Sequence, residues 1–250
     1  MTGLLRVTEA TFGRRVLRAP LPVLVCFGTQ RCPGRQALAP ALERIAATYQ
    51  GRLRVATVLV DDAILLGEQD GVVASPTLLV FQHGDRQGQA IGFIPAGLVD
   101  LLADDVVQGV VTGDILWSPV EEQFEDRVLL PLLQRWGCTA QRQVACALPG
   151  RGAAQRGRID LLVYADPADP PFTLIESKRH MRGDQALRQA VAQATAYARS
   201  LALASFVIAA PPGLWIYRIA SERPVCIQQV TSLEIHQAPD RAQAIFLQLR

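Results

Sequence analysis

Hydrophobic residues along this 250-residue chain fall into two successive patterns. In the first, apolar runs of strand length alternate with helical spacings. Pro22-Val23-Leu24-Val25-Cys26-Phe27 is apolar throughout and predicts a buried strand. Leu38, Ala41, Leu42, Ile45, Ala46 and Tyr49 then recur at helical spacing, with Pro40 inside the pattern, where it should kink the helix. The pattern predicts a second strand over 54–60, a short helix or turn over 67–70 and a third strand over 76–81. His83-Gly84-Asp85 marks a hairpin into a fourth strand, and 97–107 reads as a closing amphipathic helix.

The second pattern follows a connector over 108–118, which carries two glycines and ends at Ser118-Pro119. Ser118 as N-cap and Pro119 as first helical residue predict a helix running to Trp136 and stopping at Gly137. Its apolar stripe is Phe124, Val128, Leu129, Leu132, Leu133 and Trp136. Glu121 and Glu125 fall on that stripe and Glu122 nearer its edge. Acids near a helix N-terminus suit the helix dipole, which accounts for Glu121 and Glu122 better than for Glu125. Residues 141–148 read as an edge strand, 149–157 as a Gly/Arg-rich loop, and 158–164 as a strand with Asp160 in its middle. After a Pro/Asp-rich turn, 172–178 is a strand ending Glu176-Ser177-Lys178. A helix over 185–200 places Gln193 and Tyr197 one turn apart. Residues 204–209 and 214–219 are two further strands.

Composition narrows the function classes. Half the residues are hydrophobic and the net charge is +2, so there are apolar cores and no global basic field. Residues 1–114 carry 10 Arg against 11 acids, and residues 115–250 carry 15 basic residues against 12 acids. A mildly basic second half permits nucleic-acid binding without requiring it. Arg6, Glu9, Arg14, Arg15 and Arg18 interrupt the first residues, and no run approaches a membrane span, so a soluble, cytoplasmic protein is expected. Cys26, Cys32, Cys138, Cys146 and Cys226 are odd in number and widely spaced, and His83, His180 and His236 form no cluster. Neither a disulfide framework nor a zinc site follows.

One count changes the picture further: of 25 basic residues, 24 are Arg and the single Lys is Lys178. Where Arg serves everywhere else, a retained Lys points to a compact point charge on a flexible stem. Glu176 shares its face if 172–178 is a strand, and Asp160 lies in the preceding apolar strand. Singly, these are a strand-end acid and a surface ion pair. Together, three charged residues lie in apolar strands, and buried charges without a role are rare.

Residues 5–112 resemble thioredoxin. Residues 22–42 follow its strand, active-site turn and kinked helix without a gap. Ser75-Pro76-Thr77 falls at its cis-proline loop, and Phe81-Gln82-His83-Gly84 matches its hairpin. The resemblance implies a thioredoxin fold with Cys32 as redox candidate and Pro76 in the cis-Pro loop. The family's Cys-Gly-Pro-Cys is here Cys32-Pro33-Gly34-Arg35. The resolving cysteine is absent, the usual tryptophan before the motif is Arg31, and the family's buried acid is Cys26. Without a resolving thiol the dithiol cycle cannot close. A helix N-terminus beside Arg31 and Arg35 still favours a thiolate at Cys32, leaving mixed disulfides or a bond to Cys26 open. Otherwise the domain is a scaffold or docking surface, and the fold alone does not decide.

Residues 118–220 resemble PD-(D/E)xK nucleases of the restriction-endonuclease-like fold, closest to the nuclease domains of type I restriction motor subunits and RecB-like nucleases. Asp160 takes the first acid, Glu176-Ser177-Lys178 the acid-x-lysine, and Gln193 to Tyr197 the Gln-x-x-x-Tyr. Glu121 to Leu133 resembles the first helix, which supplies a further acid. Ile159 replaces the proline before the first acid. The resemblance implies Asp160, Glu176, Lys178, Gln193 and Tyr197 as catalytic residues and Mg²⁺ or Mn²⁺ as cofactor. Asp160, Glu176 and Glu121 or Glu125 would be its ligands, an oxygen set suited to hard ions. Nearby positive charge would lower the Lys178 pKa. Gln193 and Tyr197 would contact the substrate backbone or brace the lysine. Arg179, Arg182 and Arg188 are candidate contacts to phosphates of a DNA partner, and Arg151, Arg156 and Arg158 either touch phosphates too or are simply solvated.

The expected fold class is therefore α/β, a thioredoxin-like domain over 1–112 followed by a restriction-endonuclease-like α/β/α domain over 113–250. The expected function is metal-dependent DNA hydrolysis, with the first domain docking a protein partner, dimerising or regulating. The alternatives are a monothiol redox protein and a non-catalytic nucleic-acid-binding module.

Overall fold

The computed structural model describes residues 3–72, 74–113, 115–148, 155–179, 183–220 and 223–250. Two compact units, Met1–Pro119 and Val120–Arg250, divide the chain.

In the first unit the apolar run predicted over 22–27 forms the central strand, buried at every position. Around it stand β1 (Leu5–Val7), β2 (Val23–Gly28, the central strand), β3 (Arg54–Leu59), β4 (Thr77–Gln82), β5 (Asp85–Ile91) and β6 (Ile115–Leu116). They make one six-stranded sheet in the order β1-β3-β2-β4-β5-β6. β1, β2 and β3 run parallel, β4 is antiparallel to both β2 and β5, and β6 is parallel to β5. The helices are α1 (Glu9–Phe12, continued by a π-helical turn Gly13–Leu17), α2 (Pro33–Thr48), α3 (Ile64–Gln69) and α4 (Ala96–Val107). Phe12, Phe27 and Phe81 meet in the core, with the Phe12 and Phe81 rings edge-on at 5.5 Å. Pro40 lies inside α2, which runs on through it. The β4–β5 turn holds His83 and Gly84 at positive φ, 54° and 92°, a conformation that glycine adopts freely.

The division falls at Pro119, later than the 112/113 boundary expected from sequence. Ile115–Leu116 pairs with β5, the Trp117 N–H donates to Gln89 O at 2.7 Å, and the Trp117 indole donates to Asp105 at 2.8 Å. These bonds tie the expected connector to the first unit. β1 and α1 were also unforeseen, because a three-residue strand and a four-residue helix are too short to show a period.

The second unit opens with α5 (Glu121–Phe124), a π-helical turn Glu125–Leu129 and α6 (Leu130–Arg135). Then come β7 (Thr139–Leu148), β8 (Gln155–Tyr164), β9 (Thr173–Ser177), α7 (Gly183–Ser200), β10 (Ser205–Ala210), β11 (Gly213–Ile219), β12 (Pro224–Thr231), α8 (Ser232–Gln237) and α9 (Pro239–Leu247). The sheet order is β12-β11-β10-β9-β8-β7. Only β9 and β10 are parallel neighbours, joined through α7, as a parallel pair needs a crossover. β9 and β10 are buried at every residue. Ala190, Ala194, Tyr197 and Ala198 of α7 pack on Ile159, Leu162, Leu174, Phe206 and Ile208. Phe246 of α9 meets Trp136 at 5.1 Å and Phe172 at 6.0 Å.

Three sequence expectations change here. The first helix is capped at Val120, whose N–H is taken by the Gln123 side chain at 3.1 Å, so Ser118 and Pro119 lie outside it. The loop expected over 149–157 is shorter at its end, because β8 begins at Gln155; residues 149–154, with Arg151, lie outside the described residues, as does Arg182. β12, α8 and α9 were not anticipated. The signal was present in Thr231-Ser232-Leu233-Glu234, a capping box in which the Thr231 hydroxyl accepts from the Glu234 N–H at 3.2 Å.

Candidate active site

β8 and β9 place two acids side by side. Their ladder pairs Leu161 with Ile175, so Asp160 and Glu176 come next at the end where regular pairing stops. β9 then hands over to Lys178, whose N–H donates to Ala209 O at 2.8 Å. The Lys178 ammonium donates to Glu176 Oε1 at 2.6 Å, so the single lysine and its neighbouring acid meet as expected. Glu176 is 1% exposed, and its Oε2 is buried with no hydrogen-bond partner among the described residues. Asp160 Oδ2 accepts from the Ser177 N–H at 2.9 Å.

The edge strand distorts beside this pair. The β7–β8 ladder joins Arg142 to Leu161 and Val144 to Ile159, and skips the step between, where Gln143 would oppose Asp160. Gln143 sits in the left-handed region, φ 52°, which a residue with a Cβ adopts at a cost. No sequence signal marked this position, since Gln is not a residue associated with positive φ.

Electrostatics follow from burial. The Glu176 carboxyl is pushed up to about 7, chiefly by burial and then by the Asp160 charge, against the bond from Lys178. Asp160 is likewise raised, first by burial, with the Ser177 N–H opposing. Burial alone would lower the Lys178 pKa. The bond to Glu176 and the charges of Glu176, Asp160 and Glu121 outweigh it, and the ammonium is held above its ordinary value. The facing acids thus set the direction here, whereas the lowering expected from neighbouring positive charge belongs to the metal-bound site.

The helix acids divide. Glu122 is exposed, as the dipole reading expects, and stands 3.8 Å from Arg142. Glu125 is 1% exposed, but both its oxygens are engaged: Oε1 accepts from the Ser177 hydroxyl at 2.6 Å and Oε2 from Arg142 at 3.0 Å. Glu121 Oε1 accepts from the Arg179 N–H at 3.3 Å, and its charge bears on Asp160, Glu176 and Lys178. Among the described residues no three acids, histidines or cysteines form a group able to hold a metal. Asp160 and Glu176 stand as the adjacent pair, with the Glu121 charge bearing on both.

Gln193 and Tyr197 do meet, the Gln193 amide donating to the Tyr197 hydroxyl at 3.3 Å, but they do not brace Lys178. The buried Tyr197 hydroxyl accepts from the Arg158 N–H at 3.2 Å, two residues before Asp160. Its ring occupies the space beside Gly157, where a Cβ would lie 2.8 Å from the hydroxyl oxygen. The pair fixes the strand that carries Asp160. Arg158 and Arg188 are exposed, as phosphate contacts require.

In the first unit, Cys32 caps α2, its sulfur accepting from the Arg35 N–H at 3.4 Å. Arg35, in the resolving position, turns back to donate to Thr29 O at 2.9 Å and Gln30 O at 3.4 Å. The Ser75–Pro76 peptide is cis, and a Cβ at Gly34 would lie 2.8 Å from Pro76 Cδ, so the small residue lets the helix start abut the proline. Cys26 and Cys32 are free thiols. Cys26 is fully buried and its pKa is pushed up to about 12, mainly by burial.

The thioredoxin family model matches residues 3–104. Thioredoxin 1 of Nostoc sp. is 33% identical over 95 residues, 38% of this chain and 89% of its own length. Thioredoxin 1 of Synechococcus elongatus is 35% identical over 89 residues, 36% of this chain and 83% of its own. The thioredoxin of Pseudomonas aeruginosa is 34% identical over 89 residues, 36% of this chain and 82% of its own. The family model ends at residue 104, before Asp160, Glu176 and Lys178. Through its N-terminal domain, the chain belongs to the thioredoxin family.

Proposed function

We propose that the second unit is a PD-(D/E)xK-type nuclease that hydrolyses DNA phosphodiester bonds with Mg²⁺ or Mn²⁺, and that the thioredoxin-family domain docks a protein partner, pairs two copies or regulates. One observation carries the reading. Two acids and a lysine converge at the end of a buried β8–β9 pair, and one carboxylate oxygen, Glu176 Oε2, is buried without a partner. Buried charge of this kind lowers stability and is kept where chemistry needs it.

The donor set fits a hard divalent ion. The Asp160 charge raises the Glu176 pKa, a repulsion that a cation between them would relieve, and Mg²⁺ is commonly held by one or two carboxylates plus waters. When bound, such an ion activates water and neutralises charge on the scissile phosphate. Lys178 supplies a second, fixed positive charge: from Glu176 its ammonium can orient the attacking water and stabilise the charge that builds on phosphate oxygens. The water oxygen bonds to phosphorus, the bond to the leaving sugar oxygen breaks, and the water's proton passes to solvent or to the leaving oxygen. Gln193 and Tyr197 hold the Asp160 strand in place, and Arg158 and Arg188 meet backbone phosphates without reading sequence. The order of the second unit supports the same reading: a helix, a β7-β8-β9 antiparallel run, a crossover helix and a parallel strand, with both acids on its two inner strands and Lys178 just past the end of β9.

The test is cleavage of plasmid and single-stranded DNA with Mg²⁺ or Mn²⁺, beside Asp160→Ala and Lys178→Ala. Cleavage by the wild type and its loss in both variants is expected. Equal rates in all three sink the reading.

A further inference from the structure

Glu125 is an acid that the proposed chemistry leaves unused. It is 1% exposed, and a carboxylate withdrawn from water costs several kcal/mol unless fully bonded, so the fold must gain something by holding it. A π-helical turn begins at Glu125; such turns insert a residue into a helix and recur at functional sites. Glu125 Oε2 accepts from Arg142 Nη2 at 3.0 Å. Arg142 is itself anchored by Asp126 at 2.6 Å, with Glu122 at 3.8 Å. Glu125 Oε1 accepts the Ser177 hydroxyl at 2.6 Å, a distance typical of a charge-assisted bond.

Ser177 is 0% exposed and stands between Glu176 and Lys178. Its N–H donates to Asp160 Oδ2 at 2.9 Å, and its hydroxyl oxygen lies 3.3 Å from the same oxygen. A hydroxyl has one proton, and the shorter bond assigns it to Glu125. The Ser177 side chain thus ties the buried Glu125 carboxylate to the strand end whose backbone N–H seats Asp160 Oδ2, so losing the hydroxyl frees that strand end from its support.

We propose that Ser177 is a positioning residue: held from behind by Glu125 and Arg142, it fixes the Asp160 carboxylate in the orientation that receives the divalent ion. The inference rests on the nuclease reading of the same site. It assigns Glu125 to the support of the site and away from the ion. Loss of groups that orient metal ligands typically weakens metal binding by about 10- to 100-fold.

The experiment is Mn²⁺ binding to the full chain, followed by the loss of the free-ion electron paramagnetic resonance signal, with thermal melting as a check on folding. Ser177→Ala is expected to weaken binding by ~10- to 100-fold. Glu125→Gln, whose single amide oxygen can accept from Ser177 or Arg142 but not both, is expected to weaken binding less than Asp160→Asn, which loses it. Wild-type affinity in Ser177→Ala overturns the inference, as does a Glu125→Gln loss equal to that of Asp160→Asn. If Ser177→Ala does not fold, Arg142→Met carries the test: weakened Mn²⁺ binding is expected, and unchanged affinity overturns the inference. A wild type that binds no Mn²⁺ removes the nuclease reading and this inference together. A wild type that binds, with Ser177→Ala binding equally well, removes this inference alone.

Discussion

Cys26 and Glu176 occupy comparable places in the two units, each on a strand buried along its whole length. At Cys26 the thioredoxin resemblance calls for an acid, and the chain has a thiol with pKa near 12 that stays neutral and needs no partner. At Glu176 the chain keeps a carboxyl with an unpartnered oxygen, next to a second acid. The same contrast holds one residue type further on. Arg35 replaces the resolving cysteine and spends its guanidinium on Thr29 and Gln30 carbonyls, while Lys178 faces its acid across 2.6 Å. A fold outlasts the loss of its functional groups when their replacements are neutral or locally bonded. Charge that remains buried against its own cost is the feature on which the proposed function rests.

Four predictions sharpen or break that contrast, beginning with the largest effect. Lys178→Arg should lower DNA cleavage by about 10²- to 10³-fold, the usual loss when one group that stabilises transition-state charge is removed or displaced. Steady-state cleavage rates check it, and a near-wild-type rate would make the single lysine an accident of composition.

Next is pH. The Glu176 carboxyl is raised in the folded protein to about 7 from 4.5, so between those values the folded state holds a proton that the unfolded chain releases. Its contribution to stability is present in full below about pH 4.5 and is lost as pH rises through 7. Without metal, Glu176→Gln should therefore melt higher than wild type at pH 8, by on the order of 2 kcal/mol, and near wild type at pH 5. Parallel melting curves at the two pH values would contradict this.

Gly157→Ala and Gly34→Ala form a matched pair. Each puts a Cβ too close to a neighbour: at Gly157 against Tyr197 Cε1 and, at 2.8 Å, its hydroxyl, and at Gly34 2.8 Å from Pro76 Cδ. Overpacking of this kind costs about 1–3 kcal/mol, so both should melt earlier. Only Gly157→Ala should also slow cleavage, since only it disturbs the strand bearing Asp160. The smallest effect is in the thioredoxin half: wild type and Cys32→Ser should reduce insulin equally slowly, because no resolving thiol follows Cys32.

Much of this was legible in the sequence where residues follow a period. The apolar runs at 22–27 and 172–178, the helical spacing over 185–200 and the glycines at 84 and 137 predict their elements closely, with Gly137 at φ 71°. Asp160, Glu176 and Lys178 were legible because charges in apolar strands are conspicuous, and no helix among the described residues is long and apolar enough to cross a membrane. What the sequence concealed depends on register. Glu125 is buried, as its place on the apolar stripe implies, but its bonds to Ser177 and Arg142 join residues far apart in the chain and leave no local period. Ser177, the unspecified middle residue of its motif, proved to touch Asp160 and Glu125. Gln193 and Tyr197 were found as a pair, but their partner is the Arg158 backbone, because the space at Gly157 admits the ring.

The most direct measurement sets one residue from each half against the other. Plasmid cleavage in Mg²⁺ or Mn²⁺ is compared for wild type, Asp160→Ala and Cys32→Ser. The account predicts that wild type and Cys32→Ser cleave at the same rate while Asp160→Ala does not cleave. Cleavage that survives Asp160→Ala, or disappears in Cys32→Ser, would contradict it.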